Sequence, residues 1–155
     1  MLTADVLIVG AGIAGASMAY ELAAFARVIL LERESQPGYH TTGRSAAVFS
    51  SSDGNRVIRA LSRASRDFYQ ARAGGLAENP VLSPRGELIV AREDQMVALD
   101  AWYAETRAQL PDLERLDRQQ VQGKVPALRA DYVAGALHDP GTMDLDVAAI
   151  HQGYL

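Results

Sequence analysis

The chain has 155 residues, 48% of them hydrophobic, enough for one domain with a real core. Acidic and basic residues are interspersed and sum to a formal net charge of −4, which leaves no basic face for nucleic acid. The absence of cysteine excludes disulfides, thiolate catalysis and Cys-ligated metals, and is compatible with a reducing compartment.

Val6-Leu7-Ile8-Val9 is a short β-branched and aliphatic run of the kind that forms a buried parallel strand. Gly10, Gly12 and Gly15 follow as G-x-G-x-x-G. From Ile13 the pattern is helical, with Ala14, Met18, Leu22 and Phe25 on one face. Val28-Ile29-Leu30-Leu31 reads as a second strand that closes on Glu32. Arg33 to Gly43 is a loop turned by Pro37-Gly38, and Ser45 to Phe49 fits either a helix or an extended piece. Ser50 to Asn55 is polar and contains Gly54, so a mobile loop is expected there. Val57, Leu61, Ala64 and Phe68 mark an amphipathic helix from about Arg56 to Arg72.

After the breakers Gly74, Gly75, Pro80 and Pro84, Glu87-Leu88-Ile89-Val90 is the next strand. Met96, Leu99, Tyr103, Thr106 and Leu110 set a second amphipathic helix, with Trp102 beside the stripe and packing against a neighbour. Asp117 with Gln120 forms a capping box for a short helix limited by Pro126. Val133 to Leu137 reads as a strand, Asp139-Pro140-Gly141 as a turn, and Asp144 or Asp146 as the cap of a final helix from about Val147. That helix stops inside its apolar run at Leu155, and the expectation is of a chain cut short. The N-terminal apolar run lacks a basic leader, follows Asp5 and is interrupted by Glu21, so neither a signal peptide nor a transmembrane segment is expected, and the chain reads as soluble and cytoplasmic.

Strand, glycines, helix, strand and terminal acid in that order form a Rossmann-like βαβ unit for the ADP half of a dinucleotide. The first glycine permits the tight turn, the second lets the pyrophosphate approach the backbone, and the third allows close helix–strand contact. The helix N-terminus faces the phosphates, and the Glu32 carboxylate accepts hydrogen bonds from ribose hydroxyls. Glu32 would repel a 2′-phosphate, which leaves NAD or FAD. An NAD unit normally runs on from its acid to a crossover helix. Here the acid is followed by the small, polar segment Gln36-Pro37-Gly38-Tyr39-His40-Thr41-Thr42-Gly43-Arg44-Ser45-Ala46-Ala47, which can lie flat beside a tricyclic ring.

With that segment the chain resembles the D-amino-acid oxidase-like family of FAD-dependent oxidoreductases, and within it the bacterial FAD-dependent D-arginine dehydrogenases. The likeness runs through Leu31-Glu32-Arg33-Glu34, Leu82-Ser83-Pro84-Arg85 and Ile150-His151-Gln152-Gly153-Tyr154-Leu155. It implies an α/β fold: the βαβ unit plus the first strands of an α+β substrate-binding layer. Residues 1–80 would bind FAD, 81–142 would begin the substrate-binding domain, and 143–155 would return to the first. The resemblance places the pyrophosphate at Gly12, Ile13, Ala14 and Gly15, and the adenosine ribose on Glu32 with Arg33 beside it. Thr41, Thr42, Gly43, Arg44, Ser45, Ala46, Ala47 and Val48 would line the ribityl chain and isoalloxazine. Ser45 stands where members with a histidyl-linked flavin carry histidine, so FAD is expected to be non-covalent.

On the substrate side, D-arginine dehydrogenases have histidine at the position of Val48 and a lid tyrosine at that of Asp53, whereas Glu87, which faces the cationic end of the substrate, is retained. A half-buried carboxylate favours a guanidinium or ammonium partner; composition alone makes Glu87 a solvated charge at a strand edge. The implied reaction is oxidation of the Cα–N bond of a D-amino acid, with hydride passing to flavin N5, an imino acid as product, no catalytic acid or base in this segment, and an unassigned electron acceptor. Ser50 to Asn55 would serve as a lid. The alternatives are a truncated FAD-binding fragment without activity of its own, and an NAD-binding dehydrogenase domain. His40, His138 and His151 show no ligand spacing, so no metal is expected; His40 would help order the flavin loop and the other two would be structural or at the surface. Arg44 fits either a phosphate or a carboxylate partner.

Overall fold

A computed structural model describes residues 3–155. They fall into two compact units, Met1–Val48 with Ser65–Ser83 and Leu145–Leu155, and Phe49–Ala64 with Pro84–Asp144. Residues 49–64 thus group with the second unit by contact.

In the first unit β1 (Val6–Val9) and β2 (Val28–Leu31) pair in parallel, Val6 opposite Val28 and Val9 opposite Leu31. The helix α1 (Ile13–Leu22) joins them. Its packed face is not the expected one. Ala16 is fully buried, while Ala14 and Met18 face solvent and Phe25 lies beyond the helix, 85% exposed. The reason is proximity: a side chain on Gly15 would place its Cβ 1.9 Å from the Gly10 carbonyl oxygen, so only small residues fit against the strand. β1 is also less buried than its composition suggested, with Val9 80% exposed. A two-stranded parallel pair covered by one helix leaves a face open that a larger sheet would bury. The last helix of the chain, Val147–Tyr154, belongs to this unit and is capped by Asp146, which accepts from the Ala149 amide at 2.8 Å.

Two-residue β3 (Val48–Phe49) follows a 3₁₀ turn at Thr42–Arg44, so the segment after Ser45 is extended. The helix α2 (Arg56–Leu76) outruns its expected end, and its inward face differs from the apolar stripe read in the sequence. Val57 and Leu61 are exposed, and the residue turned in is Arg59, 2% exposed. Its guanidinium donates to the Gly54 carbonyl at 3.0 Å and to Glu105 at 2.6 Å, and those bonds select the arginine face. The segment expected as a mobile lid leads into the start of α2. Asn55 caps α2 by accepting from the Val57 and Ile58 amides, and Ser51 and Ser52 are buried.

The chain continues through β4 (Leu82–Pro84) into the second unit, where β5 (Glu87–Ala91), β7 (Gly135–Asp139) and β6 (Glu114–Asp117) form an antiparallel sheet in the order 5-7-6. Alternation sorts its side chains onto two faces. Ile89, Ala91 and Leu137 meet Leu99, Trp102 and Tyr103 of α3 (Met96–Thr106), while Leu88, Val90 and Ala136 meet Val121 of α4 (Arg118–Lys124). The capping box opens α4 as read, Asp117 accepting from the Gln120 amide at 2.9 Å and Gln120 from the Asp117 amide at 2.8 Å. β7 lies two residues later than expected, because Asp139 closes it by accepting from the Gly141 amide. Asp144 sits in β8 (Met143–Leu145) and pairs with Arg85 instead of capping α5, the helix over Val147–Tyr154. No helix among the described residues is long and apolar enough to cross a membrane.

Candidate functional site

The glycine turn is braced from three directions. Gly10 adopts φ +100°, open only to glycine at low cost, and its amide donates to Leu31 O at 2.7 Å. Glu32, immediately after β2, accepts from the Ala11 amide at 2.8 Å through one oxygen and from the Arg33 and Glu34 amides through the other. Those hydrogen bonds, led by Glu34 and Ala11, hold the Glu32 carboxyl below its ordinary range, so it is an anion with acceptor capacity to spare. Thr42 Oγ1 accepts from the Ile13 amide at 3.0 Å and lies where a Cβ on Gly12 would come within 3.2 Å, which ties the loop of the 3₁₀ turn to the start of α1.

Among the described residues, the amides of Gly12, Ala14 and Gly15 have no acceptor. Unpaired amides at a helix N-terminus are donors awaiting an anion, and the glycine turn leaves the space above them bare of side chains. The site thus fits a pyrophosphate by its donor set as well as by its spacing.

Two cavities flank this turn. One of about 510 Å³ lies against Gly10, Glu32 and Arg33; another of about 630 Å³ is lined by Ile13, Thr42, Arg44, Ser45, Tyr69 and Ile150. His40 borders both, its Nε2 within 3.0 Å of Glu34. Ser45 accepts from the Ala47 amide at 3.1 Å, and Ala47 is held at φ +56°, a left-handed conformation unusual for alanine. Its carbonyl accepts from the Leu145 amide at 2.8 Å. Arg44 packs its guanidinium 5.1 Å from the Tyr39 ring centre. Thr41, Gly43 and Ala46 are exposed along the same loop, Val48 opens β3, and the Arg33 side chain turns to Glu34 in solvent.

One contributor was missed in the sequence. His151, expected to be structural or superficial, is 4% exposed and donates from Nε2 to the Ala11 carbonyl at 2.7 Å. Nothing in the local pattern of α5 marks it, because its partner lies 140 residues away. His138 instead meets Glu114, with Nδ1 at 2.8 Å.

The two residues expected on the substrate side lie in the second unit. Glu87 is half-buried, and the Thr142 hydroxyl stands 3.2 Å from its Oε2 and 3.3 Å from Asp139 Oδ2. That hydroxyl has one proton for two carboxylates. Burial, then the charge of exposed Asp53, push the Glu87 carboxyl above its ordinary value. Glu87 and Asp53 therefore share one electronegative patch.

The fold and the turn define a dinucleotide-binding α/β protein. Over residues 5–155 the chain matches the family described as DAO, FAD dependent oxidoreductase, and it belongs to that family. Its structure is similar to L-α-glycerophosphate oxidase from Mycoplasma pneumoniae with FAD bound, at TM-score 0.83 and 21% identity, covering 99% of this chain and 42% of that one. It is also similar to glycine oxidase from Geobacillus kaustophilus (TM-score 0.83, 24% identity, 97% and 44% covered). A third likeness is to L-proline dehydrogenase from P. horikoshii (TM-score 0.76, 18% identity, 98% and 40% covered). The chain thus spans less than half the length of these structures.

Proposed function

We propose that the chain forms the FAD-holding part, and the first strands of the substrate layer, of an enzyme that oxidises the Cα–N bond of a D-amino acid with a basic side chain. Residues 1–80 and 143–155 would hold the cofactor non-covalently, and 81–142 would begin the substrate domain. The observation that carries the reading is the anionic Glu32 beside a turn whose Gly12, Ala14 and Gly15 amides are unpaired. Glu32 receives the adenosine ribose hydroxyls and those amides receive the pyrophosphate. The loop from Thr41 to Val48, fastened to α1 through Thr42, would hold the ribityl chain and ring, and the larger cavity beside it supports that reading. FAD bound there supplies a hydride acceptor for the α-carbon of the substrate.

This chain contributes position and field, with no proton transfer assigned to it. Glu87 and Asp53 support a cationic substrate side chain: a guanidinium between them would relieve their mutual repulsion and favour the ionised form of Glu87. The composition without cysteine is compatible with the cytoplasm as its compartment.

The test is a visible spectrum of the purified chain after incubation with FAD and removal of free cofactor. A retained flavin band is expected. A folded but colourless chain overturns the reading of these residues as a competent site. Anaerobic addition of D-arginine, D-alanine and D-leucine should then bleach the band, fastest with D-arginine. Faster bleaching by D-alanine or D-leucine overturns the basic-substrate reading, and no bleaching by any favours a binding fragment without activity of its own.

A further inference from the structure

The structure assigns to His151 a role that rests on the reading of the glycine turn as the pyrophosphate site: we propose that it is a positioning residue that aims the Gly12 amide at the cofactor. Ala11 is 2% exposed, and each of the two peptide planes flanking it is held by a side chain, one by exposed Glu32 and the other by buried His151. The plane before it is held by Glu32, which accepts the Ala11 N–H at 2.8 Å. The plane after it is held by His151, whose Nε2–H donates to the Ala11 carbonyl at 2.7 Å. In a trans peptide the carbonyl and the following N–H point in opposite directions. No cis bond interrupts the turn, so fixing the Ala11 carbonyl inward on His151 fixes the Gly12 N–H outward. That N–H is one of the amides without an acceptor.

The same imidazole touches the other half of the site. A Cβ on Gly38 would lie 2.8 Å from His151 Cε1, so the ring rests directly on the Gly38 backbone, which turns at φ +75°. Gly38 O accepts from the Gly43 amide at 2.7 Å and so closes the loop that carries Thr42, whose Oγ1 holds the Ile13 amide. One side chain from α5 thus sets the distance between the phosphate turn and the flavin loop. The carbonyl only accepts, which requires the proton on Nε2 and excludes the other neutral tautomer.

His151→Phe and His151→Gln test this in the chain as it stands, since phenylalanine fills the space without a donor and glutamine restores an N–H. Affinity for FAD and for ADP is read by titration, the melting temperature without ligand by thermal unfolding, and the Gly12 amide by ¹H–¹⁵N spectra. His151→Phe should weaken both FAD and ADP about tenfold, the worth of one oriented hydrogen bond. The Gly12 amide resonance should shift in that variant, and His151→Gln should recover most of both effects. Unchanged affinity and an unmoved Gly12 resonance in His151→Phe overturn the proposal. Equal losses in the two variants also overturn it, because packing and not donation would then be at stake. Wild-type chain that binds neither FAD nor ADP overturns the cofactor reading instead, and the Gly12 resonance still decides whether His151 positions the turn.

Discussion

Gly15→Ala tests whether close contact between α1 and the glycine turn holds the site together. Helix propensity alone favours alanine here by about 1 kcal/mol. The geometry opposes it: the new Cβ would sit 1.9 Å from the Gly10 carbonyl oxygen, 3.1 Å from its carbon and 3.3 Å from Ile8 Cγ2. Two of those atoms are backbone, so no rotamer change relieves the clash, and α1 must lift from β1 by more than an ångström. Overpacking of this kind costs about 1–3 kcal/mol, and the lifted helix no longer aims its first amides at the phosphates. Gly123→Ala in α4 is the internal control, since outside its chain neighbours and the backbone of its own helix no atom lies within 4 Å of its Cβ and only the propensity gain remains. Thermal unfolding should place Gly15→Ala below the wild-type chain by up to about 8 °C and Gly123→Ala above it by about 3 °C. FAD titration should show weakened binding for Gly15→Ala alone. A Gly15→Ala chain that melts at or above the wild-type temperature and binds FAD equally well would refute the argument.

Glu87→Gln should raise the melting temperature at pH 7.5 and leave it unchanged near pH 4. Because burial and Asp53 raise the folded carboxyl above its unfolded value, its contribution is fully present below the unfolded value and lost as pH rises through the folded one; glutamine keeps the neutral form throughout. An advantage that grows toward acid would contradict this. Glu105→Ala should destabilise more than Arg59→Met, by up to about 3 kcal/mol in denaturant unfolding, because the first leaves a buried cation with only a carbonyl, whereas the second leaves an exposed carboxylate. Similar losses would show that the pair acts through packing. Ala47→Gly removes a left-handed alanine, worth about 1–2 kcal/mol of strain, against about 0.5–1 kcal/mol of added chain entropy. A small net stabilisation is expected, and a loss of stability would mean that the Cβ makes a contact outweighing the strain.

Features that depend on neighbours in the chain were legible in the sequence. The glycine turn, the Asp117–Gln120 box and the strand β5 each follow from local pattern alone, and each forms where it was read. Faces were read less well, for one physical reason. A hydrophobic stripe says which side of a helix gains from burial, but not whether a neighbour is present to bury it or what approach distance that neighbour imposes. On α1 the approach to Gly10 was so close that Ala16, not Met18, faces inward. On α2 the hydrogen bonds of Arg59 turn that side chain inward, while Val57 and Leu61 of the apolar stripe stay exposed.

His151 shows the same limit at the candidate site. Its sequence neighbours describe an ordinary helical turn, and only the folded chain brings it against Ala11 and Gly38. The glycine motif specifies which backbone atoms can approach an anion; it does not specify what keeps those atoms aimed. In this chain the aim comes from side chains at the ends of other elements, Glu32 after β2, Thr42 in the 3₁₀ turn and His151 in α5. A glycine turn lacking such supports would keep its spacing and lose its preorganisation, and would have to order its amides during binding. Affinity for the cofactor should therefore follow those supports as closely as it follows the glycines.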